Sequence, residues 1–161
     1  MTMCVFLPAI GCREKPGSVD RMVELLMPTR VRIVEPFTEF ASFDDDDKPD
    51  GLSVLLQPID SFGDPVKIAG NVRIELYDYI PASGNRAGRR ICDPWEVSLT
   101  READQRRYWN NVTGMYEIPL KLPKGVQLKP RKYVIVVTYN TPIDTHLTDQ
   151  AVLDLDDAAR T

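Results

Sequence analysis

The chain has little of what usually announces an activity. Histidine occurs once, at His146, and cysteine three times, at Cys4, Cys12 and Cys92. No CxxC pair is present, so a zinc site has too few ligands of the usual kinds. G-x-S-x-G, H-E-x-x-H and phosphate-loop patterns are missing, and no base stands beside Cys92 in sequence to activate it. Cys92 therefore reads as a small hydrophobe and His146 as a loop residue, and no catalytic role is expected. No apolar run approaches the roughly 20 residues that span a bilayer. Basic and acidic residues, 20 against 24, are interleaved along most of the chain. Without a basic stripe there is nothing to displace counterions from a phosphate backbone, so nucleic acid is not an expected partner.

What is present is ordinary globular material. With 43% hydrophobic and 27% charged residues in 161, one domain with one core is expected. Its class is mostly β. Short runs over 30–35 and 71–79 alternate in hydrophobicity, further strand-like runs lie at 95–99, 115–122, 131–139 and 147–155, and a more continuously apolar, central run lies at 52–57. A possible eighth strand lies at 107–110. Turn signals separate the runs, notably Phe62-Gly63-Asp64-Pro65, Thr113-Gly114 and Pro123-Lys124-Gly125. The helices that a βαβ path requires are missing, so the expected architecture is an antiparallel sandwich of seven or eight strands. One leading helix is expected over 18–27, capped by Ser18 and stopped by Pro28, and a second helical stretch can be fitted over 99–107.

The N-terminus contains the apolar run MCVFLPAIG, then Cys12, then REKPGS. Two readings are open: a buried strand with Cys12 as a core thiol, or a hydrophobic segment, a processing site and a tether. Ala9-Ile10-Gly11-Cys12 resembles the lipobox of bacterial lipoproteins. The resemblance implies removal of residues 1–11, acylation of Cys12 and a tether over 12–17, leaving 18–161 as the domain. No Lys or Arg precedes Cys12, so a start lying further upstream is expected. Arg13 is not the aspartate that marks inner-membrane retention, which implies periplasm-facing attachment, at the outer membrane of a two-membrane bacterium.

The stretch DSFGDPVKIAGNVRIELYD carries a second resemblance, to the D-x-x-G-x-P-V hairpin of bacterial immunoglobulin-like and transthyretin-like domains. The matching residues are Asp60, Gly63, Pro65, Val66, Gly70 and Val72. Asp60 is expected to cap the turn, Gly63 to take positive φ, and Pro65 to open the next strand where no ladder donor is needed.

Two candidate sites remain. Asp44 to Asp47 followed by Asp50 repel one another, and a Ca²⁺ ion held by Asp44, Asp46 and Asp50 would relieve that repulsion. The alternative is a solvated acidic loop that keeps a sheet edge from pairing. Tyr108 and Trp109, beside Asn110 and Asn111, are the aromatic pair expected to form an exposed binding patch. The expected protein is a lipid-anchored envelope domain with a binding or structural role toward an envelope protein or glycan. The alternatives are a Ca²⁺-dependent carbohydrate or peptide-binding module, and an unlipidated assembly subunit whose residues 1–11 form an interchain strand.

Overall fold

A computed structural model describes residues 25–44, 48–81, 84, 86–142 and 145–155. Cys12, the segment 1–17 and Asp46 lie outside the described residues, as does the expected helix 18–27 apart from its last residues, of which Leu25 and Leu26 are helical.

The elements in chain order are β1 (Arg30–Ile33), a 3-10 turn (Glu35–Phe37), β2 (Glu39–Ala41), β3 (Gly51–Ile59), β4 (Asn71–Tyr79), β5 (Ala87–Arg90) and β6 (Trp95–Ser98). Then follow α1 (Glu102–Tyr108), β7 (Trp109–Asn110), β8 (Met115–Lys121), β9 (Lys132–Asn140) and β10 (His146–Asp154). All strand pairs are antiparallel, in two sheets. In the first, β3 is central between β8 and an edge made jointly by β1 and β2, and β7 pairs the far side of β8. In the second, β10-β9-β4 run in order, and β5 and β6 together form the edge beside β4.

The period-2 pattern explains the layering. Leu52, Val54, Leu56, Tyr116, Ile118 and Leu120 from the first sheet are fully or almost fully buried against Val72, Ile74, Leu76, Tyr133, Ile135, Val137 and Tyr139 from the second. These residues form one core, so the arrangement is sandwich-like. Phe40 and Tyr133 meet across it edge to face, with centroids 5.4 Å apart. At one side of the sandwich a carboxylate joins the two sheets: Asp149 of β10 accepts the backbone N–H of Ile33 in β1 at 2.7 Å.

Ten strand segments among the described residues stand against the seven or eight expected, because both edges beside the central strands are broken. Pro36 opens the 3-10 turn that separates β1 from β2, and the register of β5 slips between Tyr77 and Tyr79. The segments EFA and AGRR are too short, and AGRR too polar, to show a period in sequence.

Three connections carry the chain from one sheet to the other: residues 60–70 between β3 and β4, 99–108 with α1 between β6 and β7, and 122–131 between β8 and β9. The first two lie at the near end of the strands and the third at the far end. Residues 25–30, 60–70, α1, the turn after β7 and the β9–β10 connection share the near end; the acidic loop after β2, residues 122–131 and Asp154 share the far end.

Candidate functional site

The densest polar construction surrounds the first crossing. Asp60, buried at the end of β3, accepts hydrogen bonds on Oδ1 from the backbone N–H groups of Phe62 (2.8 Å) and Asp64 (3.0 Å). Gly63 takes φ 95°, a conformation that a side chain would strain. Pro65 makes a single bridge to Ile59, and Val66 N–H reaches Pro58 O at 3.0 Å. Asp60 and Gly63 therefore play the parts expected of them, whereas Pro65 precedes β4 by six residues and does not open it.

The chain then passes beneath three side chains. The Tyr116 hydroxyl accepts Ile68 N–H at 2.9 Å and donates to Gln105 Oε1 at 2.6 Å. Gln105 Nε2 donates to Ile68 O at 2.6 Å and Leu99 O at 2.7 Å. Tyr139 donates its hydroxyl to Ala69 O at 3.0 Å. Burial pushes the phenols of Tyr116 and Tyr139 above their ordinary value, so both remain neutral hydrogen-bonding groups at physiological pH. The helix α1 is short, and its Gln105 bonds tie it to the crossing.

Tyr108 and Trp109 sit at the join of α1 and β7, both half-buried and packed on the core. Trp109 contacts Tyr116 edge to face at 4.9 Å, Lys67 Nζ lies 5.4 Å from its ring, and the Arg107 guanidinium lies 5.2 Å from the Tyr108 ring. The pair thus divides between core and surface, the indole screening the Tyr116 network from water. Sequence reasoning missed Gln105 and Tyr116, whose partners stand 37 and 48 residues away in the chain.

At the far end, the acidic loop is closed by its own carboxylates. Asp50 Oδ1 accepts Phe43 N–H at 2.7 Å, and Asp44 Oδ1 accepts the Ser42 hydroxyl at 3.2 Å. Among the described residues no three His, Cys, Asp or Glu side chains converge on one point. Lys121, Lys124, Lys129 and Arg131 share this end; Lys121 donates to Phe43 O at 3.4 Å, and Arg131 is paired with Asp78.

The outer face of the second sheet carries an ion network. Glu75, with 15% of its side chain exposed, bonds Arg73 at 3.1 Å and Arg90 at 3.3 Å, while Arg73 also meets Glu96 at 2.9 Å. Burial is the largest single influence on Glu75 and pushes its pKa up; Arg73, Tyr77 and Arg90 outweigh it and hold the carboxyl below its usual range. Beside Arg90 opens a cleft of about 520 Å³ lined by Arg89, Arg90, Cys92, Asp93, Pro123 and others. Burial and the charge of Asp93 raise the Cys92 thiol, which keeps it protonated at neutral pH and a poor nucleophile. His146 pairs with Asn140 across the β9–β10 ladder, Nδ1 to Oδ1 at 2.8 Å.

No helix among the described residues is long and apolar enough to cross a membrane. Compared with known proteins, the chain matches no family model, no curated sequence and no solved structure.

Proposed function

We propose that this protein is a lipid-anchored domain of the cell envelope, immunoglobulin-like in type, that binds an envelope protein or glycan through its far end and catalyses no reaction. The observation that carries the reading is the polarity of the molecule. Residues 25–30, which follow the lipobox-like Ala9-Ile10-Gly11-Cys12 and its tether, lie at the near end, and the charged loops lie at the other. An anchor on Cys12 would hold the near end at the bilayer and turn the far end toward partners, with several acyl chains making the attachment effectively permanent. Periplasm-facing attachment at an outer membrane follows from Arg13, as read from the sequence.

The immunoglobulin-like type rests on two features. Strand order places β3 and β8 in one sheet and β4, β9 and β10 in the other, with crossings from β3 to β4 and from β8 to β9. Tyr133, at the start of β9, turns its hydroxyl back on the chain four residues upstream, accepting Lys129 N–H at 2.9 Å and donating to Lys129 O at 3.0 Å. This hydrogen bonding resembles the tyrosine corner of immunoglobulin-like sandwiches and supports that type.

The far end suits recognition by charge. Asp44, Asp50, Lys121, Lys124, Lys129 and Arg131 share that end, and a surface carrying charges of both signs selects a partner by register and suppresses wrong ones. Mass spectrometry of N-terminal peptides from the membrane fraction of the native host tests the anchor. A peptide beginning at Cys12 and carrying diacylglycerol is expected; an unmodified peptide containing residues 1–11 overturns it.

A further inference from the structure

Six large hydrophobic side chains are exposed among the described residues, and four of them, Leu25, Leu26, Phe62 and Val112, share the near end. Phe62 is 69% and Val112 95% exposed. The segments that bear them adjoin one another. Ser61 donates its hydroxyl to Leu25 O at 3.4 Å, and a Cβ placed on Gly114 would lie 3.1 Å from Pro65 Cβ.

The two loop tips are built alike. In the first, Asp60 Oδ1 accepts the N–H groups of Phe62 and Asp64, and Asp60 O accepts Gly63 N–H at 3.3 Å. In the second, Asn110 Oδ1 accepts the N–H groups of Val112 (2.8 Å) and Thr113 (3.3 Å), and Asn110 O accepts Gly114 N–H at 3.0 Å. Each tip thus presents an apolar side chain two residues after an Asx, on a backbone three of whose N–H groups are already paired. A positive-φ glycine, Gly63 at 95° or Gly114 at 66°, completes each turn. An unpaired N–H costs about 1 to 3 kcal/mol or more when it leaves water, and these three in each tip avoid that cost.

We infer that the near end seats itself on the membrane, with Phe62 and Val112 entering the boundary between headgroups and acyl chains. The occupant is taken to be the bilayer because the sequence that precedes Leu25, with its apolar run and Cys12, joins the domain at this same end. Arg30 and Lys67 flank the tips, and Lys67 lies over Trp109, an aromatic suited to the headgroup level. Asp64 on the first tip and Glu102 of α1 are exposed carboxylates at this end that oppose them, so seating depends on apolar contact more than on charge. The inference deepens the lipid-anchored reading and rests on it for the orientation of the domain.

Co-sedimentation of the full chain carrying Cys12→Ser with vesicles of phosphatidylethanolamine and phosphatidylglycerol tests it without any acyl chain. Measurable binding is expected, weakened about tenfold or more by Phe62→Asp with Val112→Asp and unchanged by Ile80→Asp at the far end. Both tips are exposed, so the double variant keeps its melting temperature. No binding, or binding that the double variant leaves intact, overturns the inference. Peptide mass spectrometry at Cys12 answers the separate question of the anchor, so either result can fail alone.

Discussion

Two of the crossings between sheets, residues 60–70 and 122–131, do the same topological task by different means. Residues 60–70 are held from three directions: Tyr116 from β8, Gln105 from α1 and Tyr139 from β9 bond consecutive backbone groups of Ile68 and Ala69. Residues 122–131 are held mainly from within, by Tyr133 reaching four residues back to Lys129, with Leu122 N–H on Asp50 O and Arg131 tied to Asp78. The first crossing buries Ile68 completely, so its backbone cannot be satisfied by water and must be met by side chains. The second leaves Leu128 half-buried and most of its length exposed, so its backbone is open to solvent. A buried crossing therefore recruits polar side chains from the whole fold, whereas an exposed one needs only local closure.

The comparison can be broken most severely at its apolar positions. Ile68→Ala should cost about 2 to 5 kcal/mol in chemical denaturation, against about 1 kcal/mol for Leu128→Ala; equal losses would mean that the crossings are held alike. Next come the hydroxyls. Tyr116→Phe orphans Ile68 N–H in a dry site and should cost about 1 to 3 kcal/mol, and Tyr133→Phe less, because water reaches Lys129. Gly63→Ala, forced to keep positive φ, should lower stability by about 1 to 2 kcal/mol, while Gly84→Ala at an open position should be nearly silent in the same assay.

The smallest effect lies between the crossings, on the outer face of the second sheet. Since the folded Glu75 titrates below its ordinary value of 4.5, its contribution is complete above that pH and is lost as pH falls below it. Melting curves of Glu75→Gln and the parent chain should differ at neutral pH and converge in acid; a difference that persists in acid would assign the effect to packing.

Much of this fold is legible in the amino-acid sequence, and the limits follow from length of interaction. The runs at 71–79 and 115–122 announce themselves because each alternates for seven or more residues, that at 131–139 because Val134 to Val137 are apolar and β-branched, and the D-x-x-G turn because its bonds span four. β2 and β5 pass unseen, since three or four residues cannot establish a period and their pairing is decided by β3 and β4. The Gln105–Tyr116–Ile68 network is invisible for the same reason, its members being ordinary residues until the fold brings them together. Tyr108 and Trp109, expected as an exposed patch, are half inside, because the indole is also the lid of that network.

The bond from Ile33 N–H to the Asp149 carboxylate has a mechanical meaning, because it links the edge strands of opposite sheets. From their registers, β1 and β10 both run from the near end to the far end, so they lie side by side and parallel. A load applied between residue 29 and residue 155 would therefore pull along both strands at once. Their bonds to β3, to β9 and to one another would have to yield in shear, together, instead of opening one pair at a time. A domain tethered at one end and gripped at the other would thus resist extension by the direction of its strands, whatever its equilibrium stability.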